Sequence, residues 1–353
     1  MKAAVLYGDY DLRYEEFPEP EIQPGCVKIQ VKACGICGSD IPRITAGGAH
    51  YYPIVLGHEF SGIITETASD VHRLSVGDHV AAVPLIPCMK CRDCEQGHYS
   101  QCKHYTFIGS RIQGGFGEYV VLPERNAVRI DPDIPFEQGA LFEPSTVALH
   151  GLRLTGFQGG KAVAILGGGT IGLFALQWAR ILGAGKIVVF GRDKKHLSVA
   201  KRLGADEVIS TMDDGYLDQA LAMTDNIGYD YVFEAAGAAA TIQLSFDLVC
   251  NHGSVCMIGT PTKSIEFTRR QWELLNRKEF HLTGSWMSGS APFPGDEWAL
   301  TAQCFADGRL KYDPEIFYRQ IPIQNTMEIV EALRERARIK GRILLLHENA
   351  SVR

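Results

Sequence analysis

The residues that most restrict the fold are the apolar run Ala162–Leu166 and the glycines after it. Ala162-Val163-Ala164-Ile165-Leu166 is apolar at every position, and Gly167-Gly168-Gly169-Thr170-Ile171-Gly172 follows, opening an apolar helix over 171–182. A strand without alternation is buried on both faces, the habit of a parallel sheet covered by helices. The pattern recurs, with a strand at 186–190, a helix at 194–203, and further strands at 229–233 and 253–258. This alternation predicts a doubly wound α/β domain over 154–287. The turn also satisfies G-x-G-x-x-G in the strand-to-helix setting that gives the motif meaning. Gly167, Gly169 and Gly172 let the backbone approach a pyrophosphate, and Thr170 and Ile171 begin the helix whose positive end would hold it. The stretch from Ala162 to Ile181 approaches membrane length, but its glycine cluster, Gln177 and Arg180 argue against a span.

Residues 1 to about 125 read differently. Val27-Lys28-Ile29-Gln30-Val31-Lys32-Ala33 alternates with period two, and short apolar runs at 60–66 and 77–83 lie between turn signals. This predicts a β-rich domain, a small barrel or sandwich, followed by a helix over 136–154. Beyond residue 287, an amphipathic helix at 326–336 and a closing strand at 343–346 are expected to complete that first domain, giving it residues 1–153 and 288–353. The chain has 353 residues, 46% hydrophobic and 22% charged, enough to build two packed domains. A net charge of −6 and the absence of a basic run leave no footprint for nucleic acid. The apolar start is too short for a signal-peptide core, so a cytoplasmic protein with no membrane partner is expected.

Of the ten cysteines, four fall within 15 residues, as Cys88-x2-Cys91-x2-Cys94-x7-Cys102. In a reducing compartment that crowding points to metal rather than disulfides. Four thiolates suit a closed tetrahedral zinc with no open position, hence a structural ion tying down a loop with little core of its own. A second constellation is looser. Cys34-Gly35-Ile36-Cys37-Gly38-Ser39-Asp40 and Leu56-Gly57-His58-Glu59 each place a potential ligand beside a glycine turn. Alone, they fit a buried thiol and a core histidine equally well.

With both constellations and the glycine-rich turn in one chain, the sequence resembles the zinc-containing medium-chain alcohol and polyol dehydrogenases over essentially its full length. The resemblance implies a GroES-like catalytic domain, a Rossmann domain, and an active site in the cleft between them. It implies reversible hydride transfer between a secondary alcohol and a nicotinamide, with two zinc ions per chain. It assigns Cys37 and His58 as the first two ligands of a catalytic zinc. Glu143, in Phe142-Glu143-Pro144, matches the glutamate ligand of the sorbitol-dehydrogenase branch, where the alcohol-dehydrogenase branch has cysteine. Glu59 matches a neighbouring or exchanging ligand and Ser39 a proton-relay hydroxyl, while Cys34 is given no such role and is expected in the core. A carboxylate in place of a thiolate makes the site harder, which suits a polyhydroxylated substrate.

The end of the second strand bears on the nucleotide. An NAD enzyme places an acid there for the ribose 2′-hydroxyl, whereas this chain reads Phe190-Gly191-Arg192-Asp193. Gly191 leaves room for a phosphate and Arg192 can grip it, favouring NADP(H). The alternative is that Asp193 reaches the ribose and Arg192 faces solvent. By the same resemblance Glu234, Gly259 and Ser285 stand at later strand ends that line the cofactor site. Stretches around Arg43, 48–54, 105–111, 284–287 and 294–298 are similar to family members acting on a phosphorylated polyol, and Arg43 and Arg111 are the candidate phosphate ligands. An unphosphorylated polyol or sugar acid oxidised with NAD remains open, as does, more remotely, a nucleotide-binding protein without catalysis. Pairing of an edge strand across a two-fold axis would give a homodimer or homotetramer.

Overall fold

The computed structural model describes residues 1–261, 263–334 and 341–347. The chain divides into two units. One contains Met1–Glu143, Ser288–Gly308 and the chain from Phe317; the other contains Pro144–Met287 and Arg309–Ile316.

The second unit is built on a six-stranded sheet. Its order is Glu207–Ser210, Lys186–Gly191, Ala162–Leu166, Tyr229–Glu234, Val249–Met257 and His281–Gly284, every pair parallel. In chain order this is 3-2-1-4-5-6, the doubly wound arrangement. The apolar runs explain it: Val163 to Leu166 and Ile187 to Phe190 are wholly or almost wholly buried. The helix Thr170–Ile181 buries residues all round, including Trp178. It lies so close to the turn before it that a Cβ on Gly172 would sit 1.8 Å from the Gly167 carbonyl oxygen.

Two segments placed by the sequence in the first domain belong to this unit. Trp178 Nε1 donates to the backbone oxygen and Oγ of Ser145, both at 3.0 Å, drawing in the helix Phe142–Leu154. Lys311 N–H donates to Gln177 Oε1 at 2.7 Å, and Arg202 pairs with Asp313. Such single polar contacts leave no periodicity to read. The two outer strands also escape sequence reading, being four residues each, with His281 and Leu282 exposed.

The helix Arg269–Lys278 is polar and starts from a capping box between Thr268 and Gln271. Its last residue serves the neighbouring helix Ala239–Leu248: Lys278 Nζ donates to the carbonyl oxygens of Phe246, Asp247 and Val249 at 2.7–2.9 Å. One ammonium thus satisfies three carbonyls at a helix end. Lys278→Met is expected to cost about 2 kcal/mol in urea denaturation. A loss below about 0.5 kcal/mol, an ordinary surface effect, would contradict this role.

The first unit holds a seven-stranded sheet around Cys26–Ile36. The front half of that strand pairs with Tyr119–Pro123 and its rear half with Arg342–Leu346, while Glu59–Thr67 flanks it on the other side. His79–Ala82 and Ala127–Arg129 extend one edge, and Phe317–Pro322, parallel to Arg342–Leu346, forms the other. The alternating residues Val27, Ile29 and Val31 face the core with Leu56, Phe60 and Phe116. The pairings Gly35↔Glu59 and Ile36↔Ile343 position the site. They bring Cys37, the His58-Glu59 pair and Arg342 to one end of the sheet.

The helix expected over 136–154 is two helices, Phe136–Gly139 and Phe142–Leu154. The first is pinned where Ser61 Oγ donates to the Phe136 carbonyl at 2.6 Å. A Cβ on Gly139 would lie 2.6 Å from that of Ser61. The break puts Glu143 in the first turn of the second helix. The expected helix 326–336 is observed as Thr326–Arg334, its last two residues lying outside the described part of the chain. Among the described residues no helix is long and apolar enough to cross a membrane.

Candidate active site

Cys37 follows the central strand directly, and its N–H donates to Asp40 Oδ2 at 3.0 Å. Asp40 opens the helix Asp40–Thr45 and is fully buried. Its Oδ1 lies 3.2 Å from an Arg43 nitrogen and 3.6 Å from His58 Nδ1. Gly57 delivers His58 from a left-handed turn, φ +96°, where a Cβ would stand 2.5 Å from the Phe116 ring. His58 is 4% exposed and packs edge-on against Phe107, 5.5 Å between centroids. Glu59, 1% exposed, pairs with Arg342, 7% exposed.

The ligand atoms of Cys37, His58 and Glu59 all lie within 4.8 Å of one another. Glu143 joins the cluster electrostatically. Burial, then the Glu59 charge, raises its carboxyl to about 7, while His58 and Arg342 oppose the shift. Burial and Glu59 likewise push the Cys37 thiol up to about 12. Burial raises Asp40 as well, against His58 and Arg43. These are acids gathered in a low-dielectric pocket with few cations, and a divalent ion among them would reverse the shifts. The donor set also fits a metal. His58 Nδ1 is buried, makes no hydrogen bond among the described residues and lies 3.6 Å from Asp40 Oδ1, so a small approach would complete the carboxylate–histidine pair that orients a metal-binding Nε2.

Sequence reading assigned no role to Asp40 or Arg342. Asp40 stood in the quoted motif; Arg342 could have been noticed as a lone charge opening an apolar strand. Of the other residues expected here, Ser39 is exposed and its Oγ accepts from Arg43 at 3.0 Å. The same Arg43 nitrogen donates to the Ser39 backbone oxygen at 2.8 Å, and Arg43 Nε is buried without a partner among the described residues. Arg111 lies exposed over the Tyr105 ring, 4.5 Å from its centroid. Cys34 is fully buried.

The four clustered cysteines also come together. Cys91 Sγ lies 3.5 Å from Cys94 Sγ and 3.8 Å from Cys102 Sγ, and Cys88 Sγ is 4.0 Å from Cys94 Sγ. These spacings are too long for a disulfide, and a tetrahedron with metal–sulfur bonds of about 2.3 Å has edges of about 3.8 Å. The sulfurs therefore stand where a four-thiolate ion needs them.

In the second unit, Gly167 takes φ +115° and Gly169 caps the helix Thr170–Ile181 with no side-chain bond to its first turn. The leading N–H groups of Thr170, Ile171 and Gly172 are thus left for an anion. Gly191 ends its strand, a Cβ there meeting Leu197 at 3.1 Å, and Arg192 is exposed. Asp193 Oδ1 accepts from the N–H groups of Lys195 and His196, so the acid caps its own helix. Ser285 Oγ is buried without a partner among the described residues. Glu234 is fully buried, its carboxylate held by the N–H groups of Ala236 and Gly237 and by Thr241 Oγ1. It shapes its own loop, into which Gly259 fits so tightly that a Cβ would lie 2.3 Å from Gly237 N.

Residues 23–132 match the alcohol dehydrogenase GroES-like domain, and residues 170–303 match the zinc-binding dehydrogenase domain. Galactitol 1-phosphate 5-dehydrogenase of Escherichia coli K12 is 37% identical over 349 residues, covering 98% of this chain and 100% of that protein. Sorbitol dehydrogenase of Bacillus subtilis is 34% identical over 269 residues, 75% of this chain and 76% of that one. The crystal structure of galactitol-1-phosphate dehydrogenase from Escherichia coli superposes with a TM-score of 0.92 at 36% identity, covering 98% of this chain and 100% of that one. A zinc-binding dehydrogenase from Sinorhizobium meliloti bound to NADP does so at 0.87 and 28% identity, covering 98% of each. Fold and site thus define an oxidoreductase acting on CH–OH groups. The chain belongs to the zinc-dependent medium-chain alcohol and polyol dehydrogenases.

Proposed function

We propose that this enzyme oxidises a secondary alcohol of a polyol phosphate, with galactitol 1-phosphate the first candidate, and uses NADP(H). The observation that carries the reading is the buried cluster of Cys37, His58, Glu59 and Glu143 with the guanidinium of Arg43 beside it through Asp40 and Ser39. Cys37, His58 and Glu143 would hold a zinc ion, which supplies the Lewis acidity that makes a substrate hydroxyl acidic. Asp40 orients His58. Glu59, paired with Arg342, is the carboxylate that can exchange into the ligand set. Ser39, with one lone pair occupied by Arg43, would take the alcohol proton at Oγ and pass it outward, and a nicotinamide, when bound, would supply the hydride acceptor.

Cys88, Cys91, Cys94 and Cys102 would hold a second, structural zinc. Gly167, Gly169 and Gly172, with Thr170 and Ile171, would hold the nucleotide's pyrophosphate, and Ser285 Oγ would offer a polar contact. Gly259 contributes to the same site by close packing. Arg192, beside Gly191, would receive the 2′-phosphate, a reading supported by the commitment of Asp193 to its helix cap and by the NADP-bound relative. The edge strand His281–Gly284 offers a pairing surface for a homodimer or homotetramer. Ten cysteines with no disulfide among them suit the reducing cytoplasm.

The similarity to sorbitol dehydrogenase favours one second reading, an unphosphorylated polyol oxidised with NAD. The zinc-loaded enzyme should therefore be given galactitol 1-phosphate, galactitol and sorbitol, each with NADP and NAD, while reduced nicotinamide is followed. Fastest turnover of the phosphorylated polyol with NADP supports the proposal. Equal or faster turnover of free polyols would replace it.

A further inference from the structure

We propose that Trp178, in the core of the helix Thr170–Ile181, is a positioning residue for the metal site: through Ser145 it fixes the helix start that presents Glu143. This rests on the reading of Glu143 as a zinc ligand. The three expected ligands reach the pocket by different routes. Cys37 leaves the strand Cys26–Ile36 and His58 immediately precedes the strand Glu59–Thr67, so the pairing of Gly35 with Glu59 places both. Glu143 stands in the first turn of the helix Phe142–Leu154, where no strand register fixes it. The set of ligand atoms within 4.8 Å of one another is Cys37, His58 and Glu59. Glu143 therefore depends on its own helix to reach the ion, in a pocket where the Glu59 charge opposes a second carboxylate.

Contacts on both sides of Glu143 hold that helix start. Phe142 stacks on Phe305, with ring centroids 5.1 Å apart and planes at 7°. Pro144 follows, its φ set by the ring and with no N–H to satisfy. Ser145 shares a face with Leu149 and Leu152, and all three are wholly buried. On that face Trp178 Nε1 reaches Ser145, 3.0 Å from both its hydroxyl and its carbonyl oxygen. Further along, the helix runs so close to Ile258 that a Cβ on Gly151 would stand 2.6 Å from Ile258 Cδ1. Apolar packing of that kind sets how near the helix lies but is not directional. The directed N–H at Ser145, two residues from Glu143, is what sets the rotation of the first turn.

Trp178 can serve as a fixed post because its own helix is anchored. Every residue from Leu173 to Ala179 is buried, and next to Trp178 the Gln177 Oε1 accepts from Lys311 N–H at 2.7 Å. An apolar side chain would fill the same core space without directing anything, whereas the indole spends its one N–H on the helix that carries Glu143.

The test measures zinc affinity at both sites by chelator competition in the full-length wild-type enzyme and in W178F, S145A and E143A. W178F keeps an aromatic ring in the core and removes the N–H. It is expected to weaken the ion of Cys37, His58 and Glu143 about 10-fold, leaving the four-cysteine ion and the dissociation constants of NADP and NAD within about 2-fold of wild type. S145A keeps the carbonyl acceptor and favours the helix, and it should weaken the same ion about 3-fold. It decides the matter should W178F fail to fold. A tryptophan that only fills the core would lower Tm and leave the ratio of the two zinc affinities unchanged. That result in S145A and in folded W178F, beside loss of one ion in E143A, overturns the role of Trp178 and leaves Glu143 as a ligand. An E143A enzyme that holds both ions at wild-type affinity overturns the ligand reading and this inference together.

Discussion

His58→Ala lowers kcat/KM about 10³-fold and reduces the zinc content from two ions per chain to one. The magnitude follows from what the site supplies: polarisation of a substrate oxygen by a metal is worth several kcal/mol, and about 4 kcal/mol is a factor of 10³. The effect is confined to one ion because the four-cysteine loop draws on none of the same residues. Asp40→Asn should be milder, about 10- to 100-fold, since it removes the group that orients His58 and leaves the ligands themselves. Metal analysis beside steady-state kinetics checks both. A His58→Ala enzyme that keeps two ions and activity within 10-fold of wild type would exclude His58 as a ligand.

Arg192→Ala lowers kcat/KM with NADP about 10- to 100-fold and changes that with NAD much less. A guanidinium on a phosphate makes charge-assisted bonds worth about 1.5–3 kcal/mol, and NAD has no phosphate there to lose. The structure adds a reason absent from the sequence. Asp193, the acid that could have served NAD, caps the helix Lys194–Arg202 through the N–H groups of Lys195 and His196. Gly191→Asp should shift preference the other way by placing a carboxylate where the 2′-phosphate is proposed to sit, with Leu197 shifting slightly to admit the new Cβ. Equal losses with both nucleotides in Arg192→Ala would show that the residue supports the loop rather than the phosphate.

What could be read from the chain beforehand was whatever is written in local pattern. Apolar runs buried on both faces marked the inner strands of the parallel sheet, and a tight run of cysteines marked a loop whose sulfurs meet. Cys37 and His58 stood out beside glycine turns. The rest depended on pairing between distant residues. Arg342 reaches Glu59 because Ile343 pairs with Ile36 while Glu59 pairs with Gly35, a consequence of register over 283 residues that no window contains. Asp40 matters because it is buried beside His58. Glu234 stood at a strand end where a cofactor contact was expected, yet its carboxylate turns into its own loop. The unit boundaries moved for a similar reason, through Trp178 on Ser145 and Gln177 on Lys311.

The most direct test is anomalous diffraction at the zinc absorption edge on crystals of the enzyme as purified with zinc. Two peaks per chain are predicted, one among Cys88, Cys91, Cys94 and Cys102 and one held by Cys37, His58 and Glu143. A single peak in the cysteine loop, with Cys37 and His58 free of metal in an enzyme that still transfers hydride, would contradict the account.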